Sequence, residues 1–230
     1  MMPGPEEWEV IRLSLKVSAV AVGLSLPLAF VLAWALARGR FPGKVLLDAL
    51  VHLPLVLPPV VTGWFLLIAF GPQGPAGQLL EATLGLTFLF RWTGAALAAA
   101  VMALPLMVRA IRLSLEAVDP KLEQAAMTLG ASRWRTFRTI TLPLALPGVI
   151  AGAVLGFARS LGEFGATITF VSNIPGETQT LPLAIYSALQ IPGAEPQVVR
   201  LVVVSVLLSL GALIASEALA RRTGRGGHVL

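Results

Sequence analysis

Long apolar runs alternate with short polar connections along the chain, a pattern typical of a protein that crosses a membrane several times. A membrane-spanning helix needs roughly 20 mainly apolar residues. Runs of that kind cover residues 10–37, 45–70, 92–113, 140–170 and 198–219. The pattern therefore predicts an all-α, polytopic protein with five transmembrane helices.

Two segments depart from a simple alternation of spans and loops. The second run contains Pro54, Pro58 and Pro59, and prolines at membrane depth leave carbonyl groups that neighbouring helices or a water-lined cavity must satisfy. We therefore expect this span to bend. The sequence LPLAIYSALQ at 181–190 is too short to cross a bilayer, so we expect a re-entrant or interfacial helix on the outer side. Residues 71–91 are typical of an outer loop.

The stretch 119–143 is polar and basic between two apolar runs. Asp119 suits a helix N-cap and Pro120 the first helical position. Gly130 can take the left-handed conformation that ends a helix, and Ser132 can cap a second one. One narrow apolar stripe at helical spacing is formed by Leu122, Ala125, Ala126 and Leu129. The pattern predicts two helices joined by a glycine turn. Such a unit either fits the groove of a partner or is an ordinary amphipathic turn on the surface.

Composition places the chain in a bilayer, because it is 56% hydrophobic and 13% charged, with mean hydropathy +0.83. The net charge of +5 could suggest nucleic acid. However, 12 of the 17 basic residues lie in three alternate connections, at 38–44, 109–138 and 221–225. The positive-inside rule makes these connections cytoplasmic. We therefore expect a retained first span with its N-terminus outside, a cytoplasmic C-terminus and no nucleic-acid partner.

The chain contains few residues that could carry chemistry. It has no cysteine and no GxxxxGK[ST] phosphate loop. Asp48 and His52 lie one helical turn apart, but they are too few for a metal site and are better explained as an interfacial pair. We expect no catalytic residue, no metal and no cofactor on this chain, so any energy input must come from a partner.

An ionisable pair interrupts the fourth apolar run. Arg159 and Glu163 are one helical turn apart at a depth where each alone would be costly. Either they form a salt bridge that locks the span, or they line a pathway or gate. The candidate pathway or gate residues are Pro59, Thr62, Ser160, Arg159, Glu163 and Phe164.

The spacing of Ala125-Ala126, Gly130, Ile140 and Leu142-Pro143 resembles the EAA loop of ABC importer permeases. In that family the first helix of the loop, the coupling helix, docks into a cleft of a cytoplasmic ATPase subunit. The motif's glutamate position holds Gln124 here, with Glu123 one place earlier. The resemblance implies an ATPase-coupling set of Leu122, Glu123, Gln124, Ala125, Ala126, Leu129 and Gly130.

Three further segments, LPPVVTG at 57–63, GEFGA at 162–166 and TQTLPLAIYSALQIPGAE at 178–195, resemble molybdate-type permeases of ABC importers. The resemblance implies a MetI-like permease fold, with residues 1–230 forming one inner-membrane domain. It also implies a homodimer, two ATPase subunits that carry ATP and Mg²⁺, and an extracytoplasmic binding protein that delivers molybdate or tungstate. A sulfate or thiosulfate permease, a stand-alone secondary anion carrier and a membrane scaffold are the alternatives.

Overall fold

A computed structural model describes residues 4–224, with the backbone alone at 216, 217 and 219–224. All regular structure in this range is helical. In chain order the α-helices are α1 (Pro5–Arg38), α2 (Lys44–Val56), α3 (Pro59–Phe70), α4 (Pro75–Leu84), α5 (Trp92–Glu116), α6 (Pro120–Thr128), α7 (Arg133–Thr136), α8 (Leu142–Leu161), α9 (Gly165–Val171), α10 (Leu181–Ala188) and α11 (Glu195–Gly224). A π-helix, Phe137–Thr141, joins α7 to α8.

Four stretches are long and apolar enough to cross a membrane: α1, α5, the continuous helix from Arg133 to Leu161, and α11. The pair α2 and α3 forms a fifth if it is counted as one broken span, bent by 115°. Leu57 and Pro58 at the break are extended, because a residue before proline avoids the helical region. The expected bend is confirmed.

The core lies where α1, α5 and α8 pack together, and small side chains on α5 let the helices approach closely. In the half nearer the N-terminus of α1, Ala95 and Ala99 pack with Val17, Ala21 and Phe170. The other half is built on a second cluster that includes Ala29, Ala33, Met107, Ile111 and Ala145. The helix α5 is therefore the centre of the bundle.

The short helix predicted within 181–190 is present as α10, and its outer position stays a prediction. It packs with the N-terminal part of α1 and with α11 through Leu181, Ala184 and Leu201, and the Leu181 amide donates to Ser14 Oγ over 2.7 Å. It therefore lies at the opposite end of α1 from Arg38.

Two boundaries differ from the sequence-based prediction. Residues 71–91 are not simply a loop, because α4 forms within them, starting after Gly74 with Pro75 at its first position and ending at Gly85, whose φ is +64°. The apolar run 140–170 is not one helix either. It stops at Leu161 and restarts at Gly165, so Glu163 lies in a break between two helices.

Candidate functional site

The stretch 119–143 folds as helix, turn, helix. The Asp119 carboxylate accepts a hydrogen bond from the Lys121 amide at 2.9 Å, and Ser132 Oγ accepts one from the Arg135 amide at 3.3 Å. Gly130 has φ +86°. These are the caps and the turn that the sequence predicts. The second helix differs, because α7 has only one turn before it runs through the π-helix into α8.

The helix α6 presents its apolar stripe outward, since it has no buried residue. Leu122 is 48% exposed and Leu129 is 89% exposed. Ala125 and Gln124 are exposed as well, and Ala126 is half-buried. An exposed apolar stripe on a short polar helix is a surface suited to a partner.

Glu123 points the other way, toward the helix bundle. Its Oε1 accepts hydrogen bonds from the Arg38 guanidinium at 3.1 Å and from the Thr141 hydroxyl at 2.6 Å. The same arginine nitrogen also donates to the Leu115 carbonyl at 3.3 Å. One carboxylate therefore connects α6 to the end of α1 and to the π-helix, and through Arg38 to the end of α5.

An aromatic cluster attaches the second half of the unit to α1. The Phe137 ring meets the Trp34 ring edge-on at 5.0 Å and lies 6.2 Å from Phe30. Trp134 stacks on Phe137 at 5.5 Å. Such pairs add to the stability that their burial provides. The C-terminal third of α1 therefore contacts both helices of the unit.

The break between α8 and α9 holds the second group of candidate residues. Glu163 is buried, its Oε1 accepts the Ala166 amide at 2.9 Å, and its Oε2 lies 2.7 Å from Arg159 Nη1. The carboxylate therefore satisfies the start of α9 while it pairs with the end of α8. The expected pairing of Arg159 with Glu163 is confirmed, although the glutamate lies just beyond the helix rather than within it.

The helix α3 packs tightly against α9. A Cβ on Gly63 would lie 2.6 Å from the Ala166 carbonyl oxygen, and one on Gly165 would lie 2.7 Å from Pro59 Cβ. The backbone contact at these glycines brings Pro59 beside the residue that follows Phe164. The Phe164 ring itself packs against Tyr186 of α10 at 5.1 Å.

The two candidate hydroxyls, Thr62 and Ser160, are buried, and neither makes a hydrogen bond within residues 4–224. Ser160 lies in the last turn of α8 beside Arg159, whereas Thr62 lies on α3. Unsatisfied buried hydroxyls are uncommon and mark places where a polar group can be received.

The predicted pairing of Asp48 with His52 is confirmed, and it belongs to a larger cluster of charged side chains. The His52 Nδ1 lies 3.1 Å from Asp48 Oδ1, and Asp48 Oδ2 accepts from Arg112 at 3.0 Å. Arg112 also pairs with Glu116 at 2.8 Å. This cluster ties α2 to α5. In the described part of the chain no group of three or more side chains could hold a metal ion.

Sequence comparison matches residues 25–225 to the family described as binding-protein-dependent transport system inner membrane component. The chain is 61% identical to the molybdenum transport system permease protein ModB of Escherichia coli K12, over 95% of this chain and 97% of that protein. It is 62% identical to ModB of Haemophilus influenzae, over 94% of each. A sulfate transport system permease, CysW of Synechococcus elongatus, is 37% identical over 96% of this chain and 77% of its own length.

Two solved structures share the fold. A bacterial alginate ABC transporter in complex with an alginate pentasaccharide-bound periplasmic protein aligns with TM-score 0.75 at 18% identity, over 95% of this chain and 80% of that chain. The inward-facing MetNI methionine ABC transporter aligns with TM-score 0.68 at 18% identity, over 94% of each chain. At this identity the likeness concerns the fold alone.

Proposed function

This chain belongs to the family of binding-protein-dependent transport system inner membrane components, and we propose that it translocates molybdate or tungstate as the membrane subunit of an ABC importer. It is a multi-pass membrane protein and a transport component rather than an enzyme. The observation that supports this substrate assignment is the sequence identity of 61% and 62% with two molybdenum permeases over nearly the whole chain.

A sulfate or thiosulfate permease is the second candidate, because the CysW relative is 37% identical over 96% of this chain. The difference in identity favours molybdate or tungstate, which are larger tetrahedral oxyanions of the same charge. A soluble binding protein outside the membrane would deliver the anion in either case.

The assembly we propose contains two copies of this chain, each a single permease domain of residues 1–230, and two cytoplasmic ATPase subunits that hold ATP and Mg²⁺. The ATPases would dock on the exposed stripe of α6, which has the apolar character that a cleft requires and no buried residue of its own. Closure of the ATPases on ATP would then bias the bundle between outward-open and inward-open states.

The pathway we propose runs past the break between α8 and α9. Arg159 is the cation there, and its side chain keeps 27% exposure while Glu163 neutralises it. A neutralised arginine can attract an oxyanion without holding it too tightly for release. The buried hydroxyls of Thr62 and Ser160 supply neutral donors near the same helices.

The orientation we propose has the N-terminus outside and the C-terminus in the cytoplasm. The chain has no native cysteine. Labelling of a single introduced cysteine therefore shows on which side of the membrane that residue lies, with no signal from other cysteines. A cysteine at Gly4 should react with an impermeant maleimide from outside intact cells. A cysteine at Ser132, next to the α6 turn, should react only after the membrane is opened. The opposite pattern would reverse the topology.

Co-purification tests the assembly. The chain should purify with a P-loop ATPase, and uptake into proteoliposomes should require that ATPase and ATP. Gradient-driven uptake by the chain alone would identify a secondary carrier. If the chain showed no uptake and bound no ATPase, it would be identified as a scaffold.

A further inference from the structure

We infer that Glu123 and Arg38 form a joint through which movement of α6 reaches the helix bundle, an inference that rests on the proposed function. Under this inference the two sides of α6 have different functions. The exposed stripe of α6 is the surface for the ATPase, and Glu123 transmits the displacement.

The contacts of Glu123 converge on three parts of the bundle. Its Oε1 binds Arg38, the last residue of α1, and Thr141, the last residue of the π-helix. Arg38 extends the link to the Leu115 carbonyl near the end of α5. Any displacement of α6 therefore pulls on the cytoplasmic ends of α1, α5 and α8 together.

The joint is partly shielded from water. The Arg38 side chain is 23% exposed and the Glu123 side chain 20% exposed. A charge-assisted hydrogen bond in such surroundings is stronger than one between freely solvated groups. It also remains accessible enough to form and break during a transport cycle.

The rest of α6 offers little other attachment to the bundle. None of its residues is buried, and the aromatic contacts with α1 come from Phe137, beyond the glycine turn. Removing the Glu123 carboxylate therefore leaves the outward stripe and the second helix in place. Docking of the ATPase and transmission of its movement become separable.

The test uses the full complex in proteoliposomes, with its ATPase, its binding protein and sodium molybdate. The ratio of molybdate imported to ATP hydrolysed is measured for wild type, Glu123→Ala, Glu123→Gln, Arg38→Ala and the double alanine variant. Loss of a coupling contact is expected to lower the ratio by between about twofold and about thirtyfold in Glu123→Ala, with the ATPase still bound. Glu123→Gln should recover part of the ratio, because its amide oxygen can still accept from Arg38 and Thr141.

The double alanine variant should be no worse than the poorer single variant, because both changes break the same contact. Glu116→Gln is the matched control. It removes the negative charge from the Arg112–Glu116 pair on α5, outside the joint, and should leave the ratio unchanged. A general loss of folding would lower ATP hydrolysis and uptake together and leave their ratio the same.

A Glu123→Ala variant with a wild-type ratio would overturn the joint and leave the proposed function standing. So would additive effects of the two single alanine changes, or loss of ATPase binding in Glu123→Ala. A wild-type complex that takes up neither molybdate nor tungstate would overturn the proposed function and the joint with it.

Discussion

Two arginine–glutamate pairs occur in functionally suggestive parts of the molecule, and their surroundings differ. Glu123 and Arg38 lie at the edge of the bundle, both about one-fifth exposed. Glu163 is 2% exposed, and Arg159, its partner, 27%. The first pair connects two separate helices, α1 and α6. The second lies inside a tightly packed helix break, where it fixes the backbone.

The difference teaches that the same chemical pair can serve motion or rigidity according to its burial. An accessible pair costs little to break, because water replaces the lost partner. A buried carboxylate such as Glu163 is different, because a buried group that loses its partner is strongly destabilising. Substitutions at the two sites should therefore separate stability from coupling.

The largest effect is expected for Glu163→Ala. It removes the partner of Arg159 and leaves the buried Ala166 amide without its acceptor, so we expect a loss of about 3 kcal/mol in the free energy of unfolding, most of it from the unsatisfied amide. Thermal or denaturant unfolding in detergent micelles measures it. Glu163→Gln, which keeps an acceptor for the amide, should lose less, and Glu123→Ala should lose only about 1 kcal/mol. Equal losses at positions 123 and 163 would contradict the comparison.

A double variant that exchanges the two residues, Arg159→Glu with Glu163→Arg, tests the role of this pair in transport. If the two residues act mainly on each other, the double variant should retain more uptake than either single reversal. Uptake lost equally in all three variants would instead favour a direct contact of Arg159 with the anion.

A smaller effect is expected where α3 meets α9. Gly63→Ala places a Cβ 2.6 Å from the Ala166 carbonyl oxygen and 2.8 Å from Thr169 Cβ, which should cost about 1–3 kcal/mol. The unfolding midpoint of the purified chain reports it. Gly23→Ala in α1 is the control, because its Cβ meets nothing within 4 Å. A fall in stability at Gly23 as large as at Gly63 would argue against tight packing of α3 on α9.

The turn after α6 should show a still smaller cost in stability but a clear loss of association. Gly130 has φ +86° and open space around it, so a substitution is strained by conformation rather than by collision. Gly130→Val should cost about 1–2 kcal/mol, tilt α6 and abolish co-purification of the ATPase with membrane insertion unchanged. Gly130→Asn, which tolerates this conformation, should keep the complex. A complex unaffected by valine would remove α6 as the docking surface.

The smallest effect is expected at the pair between Arg112 and Glu116. Glu116 is 41% exposed in its side chain, so Glu116→Gln should change the free energy of unfolding by no more than about 0.5 kcal/mol. A larger loss would mean that the contact between Asp48 and Arg112 also depends on the Glu116 carboxylate.

Local sequence rules predicted the caps and the turn of the 119–143 unit, because each depends on neighbours within a few residues. The proline signal at 57–59 likewise predicted the bend between α2 and α3. Membership of the family was accessible through the spacing of Ala125, Ala126 and Gly130.

Other features depend on the tertiary fold and had no sequence signal. No proline marks the break at 162–164, which is stabilised by a side chain that caps the next helix. Arg38, one partner of Glu123, is 85 residues away in the chain, and the aromatic contact of Phe137 with Trp34 joins positions still farther apart. A pattern of single residues cannot pair such distant positions.

The central claim is that this chain imports molybdate or tungstate by coupling to a partner ATPase. The most direct measurement is ATP hydrolysis by the complex in proteoliposomes, with the binding protein loaded in turn with molybdate, tungstate and sulfate. The account predicts stimulation by molybdate or tungstate, with matching uptake of the anion. Stimulation by sulfate alone, or uptake that needs no ATPase, would contradict it.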